Sequence, residues 1–145
     1  MEFIESISIE KPCAFVAEKY LEIRYSKDFN KDLLEVRSIE GMLGESGSIT
    51  ELAFKPNAGG VQKETIISKE FPNELTYEIE NEVGRVKTTV LFIELDIRRT
   101  ELKTRTEYAG MGGLISFGMR AQKRFIRKQL RESLHRVKAI CEACI

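Results

Sequence analysis

Thr100-Glu101-Leu102-Lys103-Thr104-Arg105-Thr106-Glu107-Tyr108, then Gly110-Met111-Gly112-Gly113, then the run from Leu114 to Cys141, is the stretch whose reading decides the fold. Leu102, Thr104, Thr106 and Tyr108 alternate with Glu101, Lys103, Arg105 and Glu107. A period of two marks a strand with one buried and one wet face. The glycines end it. Beyond them Leu114, Phe117, Ala121, Phe125, Leu130, Leu134, Val137 and Cys141 recur mainly at three, four or five residues. That spacing predicts one apolar stripe on a long helix whose opposite face is charged. About 28 helical residues would reach on the order of 40 Å. A helix of that length needs a broad partner surface, and a sheet is the one the remaining sequence offers.

Upstream, short strand patterns repeat from about Leu33, separated by turn signals. Leu34 and Val36 open one strand. Gly41, Gly44 and Gly47 surround a bend, and Ser48 to Phe54 forms the next strand, closed by Pro56-Asn57-Ala58-Gly59-Gly60. Val61 to Ser68 follows, then the turn Phe71-Pro72-Asn73-Glu74, with proline at a favoured turn position. Leu75, Tyr77 and Ile79 alternate with Thr76, Glu78 and Glu80, and Gly84 marks a turn before Val86 to Leu95. In that last strand Val86, Thr88, Val90 and Phe92 share one face, and Thr89, Leu91, Ile93 and Leu95 the other. Both faces are largely apolar, so either a bulge switches the facing midway or a second subunit covers the outer face.

At the start, residues 3 to 10 read as a strand with Phe3, Ser6 and Ser8 set against Ile4, Ile7 and Ile9. Pro12 suits the first turn of a helix. Phe15, Val16, Lys19 and Tyr20 continue at helical spacing toward Tyr25 or Phe29, as one short helix or two. Short turns between consecutive strands imply an antiparallel meander. The expected fold class is therefore α+β in a single domain over residues 1–145: one strand, short helices, six strands, one long helix.

Composition narrows the function classes. The 23 basic and 23 acidic side chains balance, so no global charge draws the chain to nucleic acid or to an anionic membrane. No run of about 18 apolar residues exists to span a bilayer. Met1-Glu2-Phe3-Ile4-Glu5 does not read as a signal peptide, and three cysteines make no disulfide framework, so a cytoplasmic setting is expected. The chain carries no tryptophan.

The order of elements, together with Ile7-Ser8-Ile9-Glu10-Lys11-Pro12 leading into Phe15-Val16, the Glu40-Gly41 bend, Leu75-Thr76-Tyr77-Glu78-Ile79, Thr100 to Tyr108 and the terminal amphipathic helix, resembles the START-like, helix-grip superfamily (SRPBCC). That superfamily includes polyketide cyclase/dehydrase-like proteins, plant pathogenesis-related allergens and lipid-transfer domains. The resemblance implies a seven-stranded antiparallel sheet curved around the long helix, with one or two short helices after the first strand. It also implies a cavity between sheet and helix. A small hydrophobic molecule, lipid-like or polyketide-like, would be bound there by Phe54, Tyr77, Ile79, Val90, Phe92, Thr104, Thr106 and Tyr108 of the sheet. Met111, Leu114, Phe117, Gly118 and Ala121 would contribute from the connection and the first helical turns. Many relatives carry a tryptophan after the short helices and bulkier residues where Thr104 and Thr106 stand. Both departures enlarge or polarise the space.

Each of these features has a functional and a structural reading. Inward hydroxyls orient a ligand carbonyl or hydroxyl, or bond to neighbours and buried water. Gly118 inside the helical pattern costs roughly 1 kcal/mol relative to alanine; it makes room for a ligand or lets the helix approach a bulky sheet residue. The basic face from Arg120 to Lys138 contacts anionic lipid peripherally, or is balanced by acidic strand residues. His135 stands without a serine or cysteine partner in the pattern, so triad chemistry has no support, and it is expected on the surface. Cys141-Glu142-Ala143-Cys144 lies at a helix C-terminus, where the dipole opposes thiolate formation, and one pair of cysteines does not complete a zinc site. No metal, cofactor or catalytic residue is expected. The expected partner is a small hydrophobic molecule, not nucleic acid, on a chain that is monomeric or homodimeric. Two rival functions stand: a cyclase- or dehydratase-like enzyme using Tyr77, Tyr108 or an inward acid or base, and a protein-interaction module.

Overall fold

Side-chain alternation builds seven strands in the computed structural model, which describes residues 1–82, 84–109 and 121–145. They are β1 (Glu2–Ile9), β2 (Leu33–Glu40), β3 (Ile49–Phe54), β4 (Val61–Glu70), β5 (Glu74–Glu80), β6 (Arg85–Asp96) and β7 (Arg99–Ala109). Helix α1 (Cys13–Tyr25) follows the first strand and α2 (Lys123–Ala143) the last. All seven strands join one antiparallel sheet in the order β1-β7-β6-β5-β4-β3-β2. From β2 to β7 the chain meanders, and β1 pairs with the last strand. The α+β expectation of seven antiparallel strands and a long C-terminal helix describes this architecture.

One detail differs from the sequence reading, and two points it left open are resolved. In β1 the pairing with β7 runs without a break from Glu2↔Glu107 to Ile9↔Thr100. A strict period of two then puts Phe3, Glu5, Ile7 and Ile9 on the inner face and leaves Ile4 52% exposed. Ile4 therefore does not share a face with Ile7 and Ile9, which corrects the grouping expected from sequence. In β6 no mid-strand bulge occurs; the register shifts only between Glu94 and Asp96. Thr88, Val90 and Phe92 all point inward and are buried, while Ile93 and Leu95 stay exposed outside. Of the one or two short helices expected after Pro12 there is one, unbroken, burying Val16, Ala17, Tyr20 and Ile23.

Helix α2 buries Leu134, Val137 and Cys141. Phe125 corrects the predicted stripe, because it is 56% exposed. Five residues separate it from Leu130, which at about 100° per residue rotates it roughly 140° off the buried line. Ile126, four residues before Leu130, is half-buried and continues that line. The predicted start of the helix, Leu114 to Arg120, lies outside the described residues.

Charge anchors α2 along the sheet edge. The inward Glu5 carboxylate, with a side chain only 10% exposed, receives Arg131 at 2.9 Å and Arg127 at 3.5 Å. Lys138 Nζ donates to the Ser8 carbonyl, and the Glu10 N–H donates to Glu142 Oε2 at 2.8 Å. Much of the basic helix face is therefore paired with acidic groups of its own chain. Among the described residues no helix is long and apolar enough to cross a membrane.

Candidate functional site

Between the inner sheet face and the two helices lies a cavity of about 300 Å³. The strand period delivers Leu52 and Phe54 from β3, Gln62 from β4, Tyr77 and Ile79 from β5, Val86 and Thr88 from β6, and Thr104, Thr106 and Tyr108 from β7. On α1, Tyr20, Ile23 and Arg24 stand at i, i+3 and i+4, one helical face, and all three reach the same space. Helix α2 adds Leu130, Ser133, Leu134, Arg136 and Val137. The volume lies at the lower end of the usual range for small-molecule sites.

A buried polar network forms one wall. The Tyr77 hydroxyl accepts from Arg24 Nη1 at 2.8 Å and shares a hydrogen bond with the Tyr20 hydroxyl at 2.9 Å. The Arg24 guanidinium also lies 3.8 Å from the centre of the Tyr77 ring, within cation–π range. Behind them, Arg24 Nη2 and the Tyr25 hydroxyl both donate to the carboxylate of Glu64. Glu64 is fully buried, so an unpaired charge there would be prohibitively desolvated. Burial opposes the Arg24 charge, yet Glu64 and the two tyrosine hydroxyls outweigh it and hold the guanidinium pKa well above its ordinary value. Burial also pushes the Tyr20 phenol well up, reinforced by Tyr77. Burial and the adjacent Glu64 charge do the same to Tyr25. Both phenols keep their protons, and that of Tyr25 is donated to Glu64. The Nε of Arg24 is buried without a partner.

Beside Tyr77 on the same inner sheet face, starting at its register partner Thr88, runs a row of hydroxyls. Thr88 and Thr106 face each other across the β6–β7 register, with Thr104 two residues along. All three residues are buried, and among the described residues none of their hydroxyls has a hydrogen-bond partner. Thr100, on the same strand, differs: its hydroxyl donates to the Lys11 carbonyl at 2.8 Å. Tyr108 packs edge-on against Phe3 at 5.7 Å, and burial raises its pKa.

Of the residues singled out from sequence, Phe54, Tyr77, Ile79, Thr104, Thr106 and Tyr108 stand around this cavity. Val90 and Phe92 do not. They share the inward face but sit under α1, where the Phe92 ring meets Tyr20 at 5.8 Å and Phe71 at 5.7 Å. Ala121 is exposed, beside Lys123, Arg124 and Arg127 in a surface depression. Met111, Leu114, Phe117 and Gly118 lie outside the described residues. Sequence reasoning missed Tyr20, Arg24, Glu64, Thr88 and Arg136. The signal for Glu64 was its place between Gln62 and Ile66 in the period of two. His135 is exposed. Burial, with the neighbouring Cys144, pushes the Cys141 thiol up to about 11, the reverse of a redox-active cysteine.

No protein-family model and no curated protein matches this sequence. Solved structures do match along nearly the whole chain. A START superfamily protein from Mycobacterium smegmatis aligns with a TM-score of 0.74 over 99% of this chain and 99% of that one, at 7% identity. The chain has the START-like helix-grip fold. Norcoclaurine synthase from Thalictrum flavum, in complex with dopamine and hydroxybenzaldehyde, shares the helix-grip fold with a TM-score of 0.74 at 12% identity, over 100% of this chain and 88% of that chain. The Zhui aromatase/cyclase from Streptomyces sp. R1128 gives 0.72 at 15% identity over 98% and 93%. Identities this low carry the helix-grip fold and no function.

Proposed function

We propose that this helix-grip chain binds a small amphipathic molecule in the cavity between the sheet and α2. The observation that carries the reading is the row of three buried threonines, Thr88, Thr104 and Thr106, whose hydroxyls make no hydrogen bond among the described residues and open onto a roughly 300 Å³ space. Hydroxyls that open onto a cavity and have no protein partner are satisfied by a bound molecule or by water. Leu52, Phe54, Ile79, Val86, Leu130 and Val137 supply the apolar walls. The size argues for one ring or a medium chain rather than a sterol or diacyl lipid. Binding is favoured over acid–base turnover because the described lining holds no carboxylate, imidazole or thiol, and burial keeps the protons on the Tyr20 and Tyr108 phenols.

Ligand-observed NMR with 1-octanol tests the reading. Saturation transfer to 1-octanol is expected with the native chain. It should be lost in Val86→Phe, which adds bulk to the lining. Equal transfer in both proteins, or none in either, would overturn it.

A further inference from the structure

The lining groups specify more than an apolar ligand, and the ligand class they select rests on the binding function proposed for this cavity. Among the described residues two guanidiniums, Arg24 and Arg136, reach the cavity, and no lining residue is acidic. Arg24 is neutralised by Glu64 at its back. Arg136 is not neutralised. The other cations on the sheet-facing half of α2 are occupied: Arg127 and Arg131 hold Glu5, and Lys138 holds Glu142. Arg136 alone reaches the cavity from that helix as a cation, and it makes no ion pair or hydrogen bond among the described residues. The cavity is thus a small, largely apolar space with a solvent-exposed cation at its rim that no described residue pairs, and a set of hydroxyls. A guanidinium matches a carboxylate in geometry as well as charge, because two parallel N–H groups meet two oxygens.

We propose that the ligand is a small carboxylic acid, a single-ring or medium-chain carboxylate, whose anionic end pairs with Arg136 while its body lies among Phe54, Ile79 and Val86. The threonine hydroxyls at 88, 104 and 106 provide the remaining polar contacts. A neutral alcohol of the same shape keeps the apolar contacts and forfeits the ion pair.

Isothermal titration with matched probes tests this: octanoate against 1-octanol, and 3-phenylpropanoate against 3-phenylpropanol, on the native chain and on Arg136→Gln. The acid of each pair should bind at least about tenfold tighter than its alcohol, as a charge-assisted hydrogen bond allows. Arg136→Gln should bring the acid to the affinity of the alcohol and leave the alcohol unchanged. Arg136 is exposed on a helix surface, so the variant should melt with the native chain. Equal affinity for acid and alcohol in the native protein would overturn the carboxylate assignment while leaving the cavity reading intact. An acid preference that survives Arg136→Gln would overturn the role of Arg136. Failure of acids and alcohols alike would overturn both readings.

Discussion

Removing Arg24 exposes what the Glu64 carboxylate costs when it is left alone. In Arg24→Met the fully buried Glu64 loses its cationic partner, Tyr77 loses a 2.8 Å donor, and its ring loses the cation 3.8 Å away. Breaking one half of a buried ion pair costs roughly 3–5 kcal/mol. Arg24 keeps 18% of its side chain exposed, so the lower end applies, about 3 kcal/mol. For a chain near this size that corresponds to a fall in Tm of roughly 6–12 °C. Glu64→Gln removes the charge but retains an acceptor for Tyr25 or Arg24, and should cost about 2 kcal/mol. The informative variant is the double one. With both charges gone, no unpaired ion remains, so Arg24→Met/Glu64→Gln should be less destabilised than the sum of the singles by at least about 1 kcal/mol. Urea unfolding followed by circular dichroism measures all four proteins. Additivity within error, or an Arg24→Met cost below about 1 kcal/mol, would refute the claim that the pair is a coupled buried unit.

Thr106→Val should leave stability unchanged or slightly raised, because its hydroxyl has no partner to lose, whereas Thr100→Val orphans the Lys11 carbonyl and should cost about 1 kcal/mol; equal effects in urea melts would contradict the assignment of open hydroxyls to the cavity row. Stability should also fall as pH rises above 9. Cys141, raised to about 11 by burial, and Tyr20 and Tyr25, also raised chiefly by burial, keep protons that the unfolded chain releases from about pH 9 for the thiol and 10 for the phenols. Their contribution is complete below those values and is lost as pH climbs toward the folded ones. A urea midpoint that holds steady from pH 8 to 10.5 would contradict this.

The strands were legible because alternation is a local property. Leu75, Tyr77 and Ile79 declare their face without reference to anything distant, as do Thr104, Thr106 and Tyr108. Their place around the cavity followed from the face they share. Val90 and Phe92 share that face too, yet only the path of α1 decides that they are covered. The charged wall was illegible for a related reason. A glutamate in a strand reads as solvent-facing unless a cation forty residues away is known to reach it, and Arg24 lies that distance from Glu64. Phe125 shows the limit of loose helical spacing: a five-residue step passes as periodic among apolar positions and fails once the rotation is counted. Arg136 reads as one more surface cation until its neighbours on α2 are found already paired.

The pairing of β1 with β7 bears on when the molecule can assemble. Each β1 residue meets a partner on the order of a hundred positions later, and closing so long a loop is entropically the costliest connection in the sheet. During synthesis at roughly 5–20 residues per second, the first strand to emerge waits several seconds or more for its neighbour. Helix α2, which rests its arginines on Glu5 of that same strand, comes later still. The meander from β2 to β6 can form hairpin by hairpin as it appears. The N-terminal strand and the last helix close the structure together, and they place the assembly of the cavity among the final events of folding.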